Sequence, residues 1–169
     1  MAGTRKLGKP TDQRLAMLKC QTTDFIKNEK IITTEARAKE LKSIVDSIIS
    51  LAIKEHKNFE EVEQKVVKAK LDSNGRKVTE KATSKNGKEY LKVVKEEKVE
   101  KRQKDLPSRL AARRKIMTKV NKVEGIDLID KLFNEIAPKY EDRVGGYTTI
   151  LKMEPRKGDN SKMAILKLV

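Results

Sequence analysis

The sequence predicts an α+β fold: helices packed on a small mixed or antiparallel sheet, led by a basic N-terminal arm and interrupted by an inserted β-meander. Three observations predict it. Ala38, Leu41, Ile44, Val45, Ile48, Ile49 and Ala52 form a long apolar stripe at helical spacing. Two Asn-Gly pairs, Asn74-Gly75 and Asn86-Gly87, stand between β-prone runs in mid-chain. A double glycine, Gly145-Gly146, leads into two apolar runs separated by a basic turn, "RVGGYTTILKMEPRKGDNSKMAILKLV".

Taken in order, residues 1–11 hold two glycines, a proline and three basic side chains, with too little apolar content to pack alone; they read as an arm that orders on a polyanion. From Asp12 the pattern turns helical. Leu15, Leu18, Thr22, Phe25 and Ile26 share a stripe, with Thr11 as N-cap after Pro10 and with Arg14 and Lys19 off the apolar face. "KIIT" at 30–33 is a short strand, and Thr34 caps the helix that carries the long stripe. Residues 57–106 change character: they hold 15 basic and 10 acidic side chains. Their β-prone runs at 66–71, 77–83 and 89–94, joined through the Asn-Gly turns, predict a three-stranded meander. Helices resume at Pro107, where Leu110, Met117 and Val120 form one side beside Arg113, Arg114 and Lys115. A second run of Ile126, Ile129, Leu132, Phe133 and Ile136 is broken by "APKY". The chain is thus read as an arm (1–11), a core domain (12–56 with 107–169) and a charged insertion (57–106).

Charge points to the partner. The chain of 169 residues carries 40 Lys and Arg against 25 Asp and Glu, a formal +15. The excess is spread: residues 1–56 hold 11 basic and 7 acidic groups, and residues 107–169 hold 14 and 8. A surface cationic throughout fits a protein embedded in nucleic acid better than one with a single docking face. One cysteine allows no internal disulfide, no run approaches the length of a membrane span, and the N-terminus lacks an apolar signal core, so the expectation is a soluble cytoplasmic protein.

Catalytic chemistry finds little support. His56 is the only histidine, stands far from Cys20, and reads as solvated; Cys20 reads as a buried or half-buried filler beside the first apolar stripe. Asp127 and Asp130 open a helix, where carboxylates meet the positive end of its dipole. The Gly145-Gly146 pair precedes a strand, whereas phosphate loops place glycines between a strand and a helix. It is read as a sharp lead-in to a hairpin of strands 147–153 and 162–169, with the last strand central in its sheet. No cofactor or metal is expected. The candidate site is basic: Arg5, Lys6, Lys9, Arg14, Thr34, Arg37, Lys39, Arg113, Arg114, Arg156 and Lys157 recur at the arm, at helix starts and at a turn. With only three Tyr and three Phe and no Trp, stacking on single-stranded bases is disfavoured against phosphate-backbone binding. A nucleoid-associated DNA-binding protein is the alternative that charge alone leaves open.

Three blocks carry a more specific likeness. They are "RKLGKPTDQRLAMLK" (5–19), "KIITTEARAKEL" (30–41) and "LFNEIAPKYEDRVGGYTTILKMEPRKGDNSKMAILKLV" (132–169). In these the chain resembles the bacterial large-subunit ribosomal protein seventeen family, with departures at Cys20-Gln21, where the family has Asn-Leu, and in the insertion, which the usual member lacks. The resemblance implies a non-catalytic constituent of the large ribosomal subunit that is not a homo-oligomer and uses no membrane. Its arm would reach into large-subunit ribosomal RNA, and it would sit on the solvent side, around the rim of the peptide exit, beside large-subunit protein thirty-two.

Overall fold

A computed structural model describes residues 5–169, with backbone alone at 98 and 100. Residues 1–4 of the expected arm lie outside the described residues. The chain divides into two compact units, Met1–Asn58 with Asp105–Val169, and Phe59–Lys104.

The first unit is helices on a three-stranded sheet. Helix α1 (Thr11–Asn28) ends at Glu29, whose φ of 60° and N–H bond to the Phe25 carbonyl (2.7 Å) reverse the chain into β1 (Lys30–Thr34). Helix α2 (Glu35–Glu55) follows at once. After the second unit come α3 (Pro107–Met117) and a continuous helical stretch of α4 (Leu128–Lys131), a π-helical turn (Leu132–Ile136) and α5 (Ala137–Lys139). Strands β6 (Thr148–Lys152) and β7 (Met163–Leu168) close the chain. The sheet order is β1-β7-β6, all antiparallel, with Leu166 between Ile31 and Ile150. The last strand is central, as its two-sided apolar content predicts, with Ala164 and Leu166 fully buried. Gly145 and Gly146 have φ of 82° and 63°, a left-handed lead-in to β6 that only glycine adopts without strain.

Helix α2 is the centre of the core. Ala38, Leu41, Val45, Ile48, Ile49 and Ala52 of the predicted stripe are buried, and Ile44 is partly so. They meet Phe25 and Ile26 of α1, Ile116 of α3, Leu132 and Phe133, and Leu166 of β7. Each fully buried side chain of that size contributes about 1.5–3 kcal/mol of transfer free energy.

Several sequence expectations are corrected here. Leu15 is 58% exposed: it lies on the predicted face, but the core begins at Leu18. Pro10, not Thr11, is the N-cap of α1, and Thr34 is the N-cap of α2 without a side-chain cap bond. On α3 the buried face is Arg109, Ala112 and Ile116, continued by Val120, while Leu110 and Met117 are exposed. The face is turned because an arginine occupies the interior: Arg109, 2% exposed, lies 3.1 Å from the Asp105 carboxylate and 5.2 Å over the Phe133 ring. Ile126 is exposed in a turn bridged by Val123, and the helix starts two residues later, where the Asp127 carboxylate accepts from the N–H groups of Ile129 and Asp130. Cys20 is exposed, with the Asn121 amide 3.4 Å from its sulfur. His56 is not solvated. Its ring is largely buried, 2.7 Å from the Ile53 carbonyl and 3.6 Å from Glu141.

The second unit is β throughout, but not a single meander. Strands β2 (Phe59–Ala69) and β5 (Lys95–Asp105) form one two-stranded ladder, and β3 (Thr79–Thr83) and β4 (Glu89–Val93) another. The first Asn-Gly turn closes a small hairpin bridged by Leu71 and Lys77, and the second closes the β3–β4 hairpin. The branches meet at three residues bonded in a ring: Lys70 N–H to Val94 carbonyl, Val94 N–H to Val78 carbonyl, and Val78 N–H to Lys70 carbonyl, at 2.8–3.0 Å. A meander would have needed one continuous apolar face. The runs here place charges on both faces, so pairing stays two-stranded and, among the described residues of 59–104, none is buried.

Candidate nucleic-acid interface

The start of α2 is where the sequence-predicted elements converge. Thr34 leaves β1 and enters the helix with no side chain capping the first turn. Of the free N–H groups there, that of Glu35 is taken by the Lys162 carbonyl at 2.9 Å, which ties the helix start to the strand-leading loop of β7. Arg5, Thr34, Glu35, Ala36, Lys39, Ser161 and Lys162 line a cleft of about 410 Å³ beside this turn. The arm, the first turn of α2 and the C-terminal hairpin therefore contribute to one face of the first unit.

Three acidic groups hold the exposed cations of this region in place. Glu35 binds Lys39 at 2.7 Å, Glu40 binds Arg5 at 3.5 Å, and Asp159 binds Arg156 at 3.3 Å. The hydrogen bond from Lys39 holds the Glu35 carboxyl below its ordinary range, helped by the charges of Lys39, Lys152 and Lys162. Asp159 is likewise lowered, chiefly by the Ser161 hydroxyl and N–H, with Arg156 adding to it. Such exposed pairs are weak in solvent, so a phosphate can replace a carboxylate at little cost.

The remaining predicted residues fall into distinct settings. Lys6, Lys9 and Lys157 are exposed. Residues 5–10 fold back on α1: the Arg14 guanidinium reaches the Arg5 carbonyl at 3.5 Å, the Lys9 N–H reaches the Lys6 carbonyl, and Leu7 rests against the core with φ of 56°. Arg37 and Arg114 make no ion pair among the described residues. Arg113 is set apart from the cleft. Its guanidinium bonds Asp105 at 3.3 Å and Asp130 at 2.8 Å and sits 5.8 Å over Phe133, as a structural cation. Sequence reasoning missed Ser161 and Lys162; the only signal was their place after the basic turn, since the β1–β7 pairing that brings them to Thr34 spans most of the chain. Gln21, at the departure from the resembled family, donates to the Thr33 hydroxyl at 3.3 Å and so faces β1.

Among the described residues no three His, Cys, Asp or Glu side chains are placed to hold a metal ion, and no helix is long and apolar enough to cross a membrane. The site is a set of cations around a helix N-terminus, a geometry for anions. Comparison with known proteins identifies the family. The profile of the family described as Ribosomal protein L17 matches residues 17–169. A large ribosomal subunit protein bL17 from Acetivibrio thermocellus is 52% identical over 174 aligned positions that span all of both chains. The chain belongs to the ribosomal protein L17 family. Proteins of the same name from Ruminiclostridium cellulolyticum and Lachnospira eligens are 52% and 45% identical, again over the whole of both chains. Ribosomal protein L17 membership makes this a structural, non-enzymatic protein of the bacterial large ribosomal subunit, and so of the cytoplasm.

Proposed function

We propose that the chain fastens folded large-subunit ribosomal RNA through phosphate-backbone contacts made from the arm, the start of α2 and the C-terminal hairpin turn. The observation that carries this reading is the convergence of Arg5, Thr34, Lys39 and Lys162 on one cleft at an uncapped helix N-terminus. Free N–H groups of the first turn and the helix dipole favour an anion there, and the flanking cations supply charge without reading bases. Arg5, Lys6, Lys9 and Arg14 serve the arm, Thr34, Arg37 and Lys39 the helix start, Arg114 the surface of α3, and Arg156 and Lys157 the turn. Arg113 supports this surface from beneath through Asp105 and Asp130. In this reading residues 1–11 act as the arm, 12–56 with 107–169 as the RNA-binding core, and 57–106 as an accessory element touching peripheral RNA or a neighbouring protein, with large-subunit protein thirty-two among the neighbours of the core.

The test replaces Arg5, Lys6 and Lys9 with Ala and measures incorporation into large subunits together with chemical protection of their RNA. Reduced incorporation and lost protection at one backbone segment are expected. Unchanged values for both overturn the arm's role, and co-purification with the nucleoid rather than with ribosomes overturns the reading as a whole.

A further inference from the structure

Beyond the start of α2, a second cationic cleft lies along its last two turns. Ser47, Ser50, Leu51 and Lys54 fall at spacings of three and four, on one stripe of the helix, and face Lys115 and Lys119 of α3 and the turn after it across a cleft of about 280 Å³. Its floor is apolar, with Ile48 and Ile116 buried at its base, so the lysine stems can lie on hydrocarbon while their ammonium groups stay at the rim.

Charge pairing separates this cleft from ordinary solvated surface. Every carboxylate of α2 has a partner: Glu35 holds Lys39, Glu40 holds Arg5, Asp46 accepts from the Thr148 hydroxyl at 2.9 Å, and Glu55 accepts from Asn58 at 2.6 Å. No acidic side chain lines the cleft, and Lys54, Lys115 and Lys119 make no ion pair among the described residues. The helix C-terminus itself disfavours an anion, yet three unpaired ammonium groups outweigh a half-charge that is partly offset by Lys54 in the last turn.

We infer that this cleft is a second, separate binding site for an RNA backbone segment, made by Lys54, Lys115 and Lys119. The inference rests on the RNA-binding reading above and deepens it. From Thr34 to Ser50 the helix rises about 24 Å, too far for one phosphate to serve both clefts. Helix α2 then acts as a rigid strut that holds two backbone segments at a fixed separation, which is how a small non-catalytic protein can fasten a tertiary fold of RNA. Compact ammonium groups around a groove without forked arginines suit point contacts to successive phosphates.

The experiment uses the full-length chain with large-subunit ribosomal RNA transcribed in vitro, read by hydroxyl-radical footprinting and by affinity as a function of salt. Two variants are compared: K54Q/K115Q/K119Q and R37Q/K39Q, each first shown to melt like the wild type. The triple variant is expected to lose one protected segment, to keep the segment that R37Q/K39Q loses, and to lower the salt slope by about 2 to 3. An unchanged slope and footprint in the triple variant overturns the second site. So does loss of the same segment in both variants, which would make the two clefts one site. A photo-crosslinker at Ser50 that joins a ribosomal protein rather than RNA in intact subunits also overturns it, in favour of an acidic protein partner. Failure of the wild type to protect the RNA at all would instead refute the RNA-binding reading on which it rests.

Discussion

Removal of the Asp105 carboxylate is the sharpest perturbation that the first unit offers. Asp105 lies 3.1 Å from Arg109, which is 2% exposed, and 3.3 Å from Arg113. Asp105→Ala leaves Arg113 its second partner, Asp130 at 2.8 Å, but takes this carboxylate away from the buried Arg109. Breaking a buried pair from one side costs about 3–5 kcal/mol, and because Asp105 keeps 19% exposure the lower end applies, about 3 kcal/mol. For a chain of this size each kcal/mol lowers Tm by about 2–4 °C, so a fall of about 6–12 °C is expected. The assay is thermal unfolding followed by circular dichroism of the helices, which lie in the first unit. Asp105→Ala with Arg109→Met should recover part of the loss, because an apolar side chain can occupy the space over Phe133 without a charge to neutralise. The recovery stays incomplete by the cation–π contact, worth about 1–2 kcal/mol. A shift of less than about 2 °C for Asp105→Ala, or additive losses in the double variant, would refute the reasoning.

Two further outcomes follow from the same structure. Replacing residues 60–103 with a short Gly/Ser linker, Asp105 retained, should leave a cooperatively melting protein within about 3 °C of the wild type. The buried core lies wholly outside that segment, and the Leu106 N–H already bonds the Asn58 carbonyl at 3.2 Å, so the cut ends are neighbours; loss of the cooperative transition counts against this. Glu141 is hydrogen-bonded by Lys57, which with the charges of Lys57 and His56 holds its carboxyl below the ordinary 4.5. Its stabilisation is therefore whole above that value and is lost as pH falls through the lowered one. The Tm gap between the wild type and Glu141→Gln should be present at about pH 7 and close as pH is taken below the ordinary carboxylate range; a gap that stays constant on acidification contradicts the assignment.

The parts of the fold legible in the sequence are those governed by short-range pattern. The stripe of α2 has polar residues on every other face, so its burial follows from spacing alone. The Gly145-Gly146 pair announces a left-handed lead-in that few other residues tolerate. The β7 strand reads as central because Ala164, Leu166, Met163 and Ile165 leave no polar face. What stayed hidden depends on partners distant in sequence. The Arg109 environment is set by Asp105 and Phe133, and hydropathy ranks that arginine as surface, which turned the predicted face of α3 towards Leu110 and Met117. His56 is drawn inward by Glu141, some eighty positions away, and no spacing rule reaches that far. In the candidate site, Arg5, Thr34 and Lys39 were legible as cationic arm and helix start. Ser161 and Lys162 were not, because only the β1–β7 register places them there.

Burial, rather than residue type, divides the cations that serve structure from those free for a partner. The Arg109 and Arg113 side chains are themselves 2% and 18% exposed where they pair, whereas those of Arg5, Lys39 and Arg156 are 48%, 49% and 51% exposed. The first two pairs lose too much if opened to take part in binding. The latter three are held by carboxylates of the chain's own, Glu40, Glu35 and Asp159, in solvent-exposed pairs that contribute little. A chain at +15 repels itself most where its cations crowd, and those three carboxylates relieve the crowding while no polyanion is present. In the proposed binding mode a phosphate takes the cation and the displaced carboxylate turns to water, an exchange expected to depend strongly on salt. The same proposal makes the protein more stable on RNA than off it, since a partner that binds only the folded state raises stability as the logarithm of one plus its concentration over its Kd.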